Sequence, residues 1–179
     1  GNAGTGHGGG IANAGTMALS RSVVASNTAT YGGGIANAPA ARLFVLNSTL
    51  ISNTATVSTT EGTGGGIANQ GAAMVSGSTL ISNTASAVGG GIASAGQLIV
   101  TGSTLDSNSA RSGGGIENFN TGAVTLTNCA VSGNTTTYGY GGGIDNRGIL
   151  TLLTSTINSN SAASGGGIDN TGAATLTNS

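Results

Sequence analysis

The stretch GYGGGIDNRG, Gly139 to Gly148, sets three consecutive glycines beside a carboxylate (Asp145), an amide (Asn146) and a guanidinium (Arg147). Taken alone it suggests a phosphate-cradling loop or a catalytic turn. A phosphate loop needs a glycine turn that feeds a helix N-terminus, usually with Lys and Ser or Thr, once per domain. In this chain the tetrapeptide Gly-Gly-Gly-Ile ends at Ile11, Ile35, Ile67, Ile92, Ile116, Ile144 and Ile168, and all 4 cationic residues are arginines. The stretch is therefore one copy of a repeat, and the spacing of the copies decides the fold.

Successive copies recur with a base period of roughly 24 residues, the scale of one turn of a solenoid. The gaps from Ile35 to Ile67 and from Ile116 to Ile144 are longer. A second landmark, Asn27, Asn53, Asn83, Asn108, Asn134 and Asn160, follows its isoleucine at one fixed offset, stretched slightly before Asn53 and Asn134. The extra residues fall at two seams. One lies at Pro39 and around Phe119 and Asn120, and the other between the asparagine and the next glycine run, with the largest insertion inside Thr54 to Thr63. Insertions confined to fixed seams mark loops at the corners of a repeating coil.

Between the landmarks each column keeps its own chemistry. Leu19, Val45, Val75, Val100, Leu126, Leu152 and Leu176 form one apolar column, and Met17, Leu43, Ala73, Leu98, Val124, Leu150 and Ala174 stand two positions earlier. Val24, Leu50, Leu80, Leu105, Val131 and Ile157 form another. Apolar spacing of two means strands. Three short strands per repeat unit, separated by Gly, Asn or Ser corners, predict an all-β, right-handed parallel β-helix of about seven rungs, a single domain over 1–179. Asparagine suits the corners because it tolerates left-handed backbone and its amide can bond to its counterpart along the axis.

The composition fits an ordered stack. Of the 179 residues 35 are glycine, 37% are hydrophobic and 5% are charged, with a net charge of −1, which is not the profile of a disordered chain. No basic cluster is present to neutralise phosphates, which argues against nucleic acid and against anionic membrane surfaces. No apolar run reaches membrane-spanning length, so membrane insertion is not expected. The lone Cys129 occupies a column otherwise held by Ser22, Ser48, Ser78, Ser103, Ser155 and Ser179, and is read as a small inward filler.

The columns GGGIANAG and GGGIDNTGAATLTNS resemble the Gly-Gly-Ile and Asn-rich repeats of polymorphic outer membrane proteins and related autotransporter-type adhesins, with pectin-lyase-like parallel β-helices. The resemblance spans essentially the whole chain. It implies a non-enzymatic structural or adhesive role at a bacterial or archaeal cell surface or outside the cell. The partners it implies are a host surface or a glycan. The chain begins and stops in mid-rung, which raises two expectations: a segment of a longer β-helix, or a unit that self-associates head to tail or laterally into a fibre or surface layer.

Several positions are candidates for more than scaffold. The residue after each repeat isoleucine should face outward, which gives Glu117, Asp145 and Asp169 as a solvent-exposed carboxylate ladder with Arg147 as counterion. These three acids are also a candidate Ca²⁺ site, though short of oxygen ligands; no other cofactor is expected. A contact surface is expected at outward Phe44, Leu46, Met74 and Ile99, with Ile51 and Ile81 as a second apolar spot. Outward threonines, Thr125 with Thr127 and Thr175 with Thr177, raise ice binding as an alternative, although Thr151 is followed at that spacing by Leu153. A polysaccharide-binding or lyase-like role is a second alternative. A lyase would need clustered acidic ligands and a cationic base in one groove, and no catalytic residues stand out. His7 has no second His or nearby Cys and reads as a loop residue.

Overall fold

The computed structural model describes residues 1–56 and 63–179, and the longest expected insertion, within Thr54 to Thr63, lies largely outside the described residues. The described chain contains no helix, hence none long and apolar enough to cross a membrane. It is an all-β parallel solenoid. Seven strands from Ile11–Asn13 to Ile168–Asn170 make the first sheet, and seven from Thr16–Ser20 to Ala173–Thr177 make the second. Six strands from Val23–Ala25 to Thr156–Asn158 make the third, and five from Thr28–Ala29 to Thr135–Thr136 the fourth. Seven strands of the first sheet enclose six complete turns.

Each turn thus has four faces rather than three. The missed face is a two-residue strand, Thr-Ala in most copies, directly after the landmark asparagine. Two residues cannot show an alternation, and alanine carries too little apolar surface to mark a strand in sequence.

The register matches the repeat. Ile11, Ile35, Ile67, Ile92, Ile116, Ile144 and Ile168 pair one above another through the first sheet. Within the stack Ile35, Val45, Leu50, Ile67, Leu80, Ile92, Leu105, Ile116 and Ile144 are fully buried in one continuous core. Each such side chain contributes on the order of 1.5–3 kcal/mol before conformational entropy is subtracted. Cys129 lies in this core, as its column predicts, and burial pushes its thiol up from the ordinary range.

Two polar columns hold the corners. The Asn27 to Asn160 column is an amide ladder: Asn53 Nδ2 donates to Asn83 Oδ1 and Asn83 Nδ2 to Asn108 Oδ1, both at 3.0 Å. The same amides also reach the core backbone, as Asn83 Nδ2 does to Leu50 O at 3.0 Å. The residue before each of these asparagines is left-handed, with φ of 54° at Ser52, Ser82 and Ser107. At the other corner Asn13 donates to Asn37 and Asn37 to Asn69, both at 2.8 Å.

Candidate functional site

The glycine run governs what lies outside the first sheet. Gly141 has φ 58°, and a Cβ there would collide with Ile144 O and Asp145 N. The chain therefore doubles back directly over the strand it is about to form, a path that only glycine permits. The residue just before the run is carried across the outer face. His7, Tyr31, Thr63, Val88, Ser112, Tyr140 and Ser164 form successive parallel bridges there, apart from the Ser112 to Tyr140 step, where Ser112 Oγ lies 3.3 Å from both Tyr140 N and Tyr140 O.

This second layer overturns one expectation. The residues after the repeat isoleucines do point away from the core, but they are covered: Ala68 and Ala93 are buried, Glu117 is 0% exposed and Asp145 1%. The cover is incomplete at the two ends of the stack, where Ala12 is exposed and Asp169 partly exposed. Alternation along a strand predicts which side a residue faces. It does not reveal that the preceding segment folds back over that side.

The buried acids form a cluster. Asp145 Oδ2 accepts from Ser112 Oγ at 2.8 Å and from Arg147 Nη2 at 2.8 Å. Arg147 Nε lies 3.5 Å from Glu117 Oε1, too far for a strong hydrogen bond. Burial, and then the Asp145 charge beside it, push the Glu117 carboxyl up to about 8 against the pull of Arg147. Neither Glu117 oxygen has a hydrogen-bond donor, which with burial and the neighbouring Asp145 charge favours the protonated carboxyl. At neutral pH the Glu117 carboxyl is therefore mainly in its neutral form.

A Ca²⁺ bridge does not fit. Arg147 already sits against Glu117 and Asp145, and Asp169 accepts instead from Ser164 Oγ at 2.9 Å. Among the described residues no group of three or more His, Cys, Asp or Glu is placed to hold a metal ion.

Above the cluster, a cavity of about 280 Å³ is lined by Arg111, Ser112, Tyr138, Gly139, Tyr140 and Arg147, with Ala87 and Val88. Nearer the other end of the same face, a cavity of about 300 Å³ has a floor of Ala12, Ala36 and Ala68. Its walls are His7 and Tyr31, with ring centroids 5.1 Å apart, and Pro39 and Gln70. His7 is thus part of an aromatic wall. The signal in sequence was its column, shared with Tyr31 and Tyr140.

The expected contact residues are placed as follows. Phe44, Met74 and Ile99 pair in register on the outer face of the second sheet and line a shallow cavity with Arg42 and Gln97. Ile51 pairs with Ile81 on the third sheet. Phe44, Leu46, Ile51, Met74 and Ile81 are half-buried and Ile99 is 36% exposed, so these columns cover one another in part. The most exposed aromatic among the described residues is Tyr138, at 86%, outside that stripe.

The fold defines the class, a parallel β-solenoid with a doubled wall over one face. Comparison with protein-family models, curated proteins and solved structures returned no match to this chain.

Proposed function

We propose that the chain is a non-enzymatic, right-handed β-helical rod acting outside the cell or at its surface in a structural or adhesive role. The observation that carries this reading is the unbroken register of parallel sheets around an interior filled by side chains. Such a stack is stiff along its axis and repeats every outward column at about 4.8 Å. Weak contacts repeated along a rod add to a strong attachment. The Gly-Gly-Gly-Ile and Asn columns, which resemble those of bacterial surface proteins, support the extracellular setting, and right-handedness follows the general preference of parallel connections.

Lateral association of rods is the contact that the outer face of the second sheet favours, through Phe44, Met74 and Ile99 on a nearly uncharged surface. The ice-binding alternative draws less support. Thr125, Thr151 and Thr175 stand in register, but Leu153 separates Thr127 from Thr177. Sedimentation across a concentration series, followed by electron microscopy, tests the reading. Assembly that grows with concentration and weakens in a Phe44→Ser, Met74→Ser double variant is expected; uniform single rods at every concentration would count against it.

A further inference from the structure

We propose that the cavity framed by Arg111, Tyr138, Tyr140 and Arg147 is a binding site for an oxyanion: a carboxylate, a sulfate or a phosphate group.

The polar side chains that reach the cavity are chiefly hydrogen-bond donors, set beside the apolar Ala87 and Val88. Two guanidinium groups and two phenols line it, while the acidic side chains do not. Asp145 and Glu117 lie behind Arg147 and are buried. Arg147 is held in place through Nη2 at 2.8 Å from Asp145 and Nε at 3.5 Å from Glu117, which leaves its other Nη donors for the cavity side. With Glu117 largely protonated at neutral pH, the direct ion pair of Arg147 is with Asp145, and Asp169 adds a more distant opposing charge. Arg111 adds a second positive charge; among the described residues every salt bridge belongs to Arg147. Neither phenol donates a hydrogen bond to a protein acceptor among the described residues, so both hydroxyls are free to turn toward a ligand.

A space of about 280 Å³ with Arg111, Arg147, Tyr138 and Tyr140 on its walls and no acidic side chain among them suits an anion with several oxygens, because each oxygen accepts more than one N–H or O–H. The volume leaves room for water around such a group.

The site is specific to this part of the repeat. The position held by Arg147 is Ala14, Ala38, Gln70, Ala95, Phe119 and Thr171 in the other copies, and the column of Arg111 contains no other cation. Tyr138 enters through the insertion that lengthens the gap between Ile116 and Ile144. Two of the chain's 4 cations therefore meet at neighbouring turns in a chain that is otherwise nearly uncharged. The inference stands apart from the proposed role as a rod, and either could fail without the other.

Calorimetric titration of the whole chain with sodium sulfate, sodium phosphate and sodium acetate at pH 7, with ionic strength held constant by chloride, tests the site. One saturable site is expected for at least one salt. Sulfate or phosphate without acetate assigns a tetrahedral anion, and acetate alone a carboxylate. Arg111→Gln, at an exposed position and so expected to keep the parent melting temperature, should weaken that binding about tenfold or more, the effect of losing a charge-assisted hydrogen bond. Tyr140→Phe should weaken it less. Unsaturable heats with all three salts would overturn the proposal, as would saturable binding unchanged in both variants.

Discussion

Two residues sit in conditions that their own chemistry disfavours, and both give predictions. Glu117 binds a proton more tightly in the folded chain, near 8, than its ordinary value of 4.5. A raised carboxyl favours the fold fully below the unfolded value, and that contribution is lost as pH rises through the folded one. The melting temperature is therefore expected to fall between about pH 5 and pH 8, at about 2–4 °C per kcal/mol for a chain of this size. Glu117→Gln should flatten that decline and match or exceed the parent at pH 8; a parent profile that rises over this window would contradict the buried carboxyl. Thr154 is the second case. It is β-branched and held at φ 50°, in a column whose other members include Asn47, Gly77, Gly102 and Asn128. Thr154→Asn should stabilise the chain by about 0.5–1 kcal/mol, because asparagine accepts left-handed backbone more readily. Chemical denaturation reads the change directly. Neither residue was legible as strained from sequence: the burial of Glu117 depends on a segment folding over it, and the φ of Thr154 is set by the corner.

At the scale of the element, the two asparagine ladders behave as cooperative units with one visible gap. Ser94 stands where other copies have asparagine, and its hydroxyl donates to Gly96 O. Asn118 Oδ1, one turn further, is consequently buried without a partner. Ser94→Asn should restore the bond and raise stability by about 1 kcal/mol. Interrupting the intact ladder should act in the opposite direction and more strongly. Asn83→Ala removes the bonds from Asn83 to Asn108 and Leu50, and it takes away the oxygen that accepts from both the Asn53 backbone N–H and one of the two Asn53 Nδ2 hydrogens, so a loss of about 3 kcal/mol is expected. Equal, small effects of the two substitutions in equilibrium unfolding would show that the ladders are incidental. These columns were readable in sequence because each asparagine recurs at a fixed offset from a glycine run. The isoleucine and leucine columns were readable for the same reason. The fourth sheet was not, because its strands are only two positions long, and the covering of the first sheet was not, because three glycines do not reveal where the chain before them passes.

Across the whole molecule, one repeated turn accounts for most of the sequence, and its departures from the repeat locate what is particular to this chain. Gly139 to Gly148 illustrates both. Gly141 to Ile144 and Asn146 serve the stack as in the other copies, while Tyr138, Tyr140, Asp145 and Arg147 build a cluster and a cavity found at this turn. The central claim is that residues far apart in sequence stand in one column, a fixed number of strand spacings apart. Arg42 and Ala173 are exposed members of such a column in the second sheet, linked through Ala72, Gln97, Ala123 and Ile149. Five strand spacings of about 4.8 Å place them about 24 Å apart. Spin labels at these two positions, in a chain whose Cys129 is replaced by the serine typical of its column, test this by pulsed dipolar spectroscopy. The account predicts a single distance distribution centred at about 24 Å, broadened only by the label tethers. A broad distribution, or one centred well beyond that distance, would contradict the stacked solenoid.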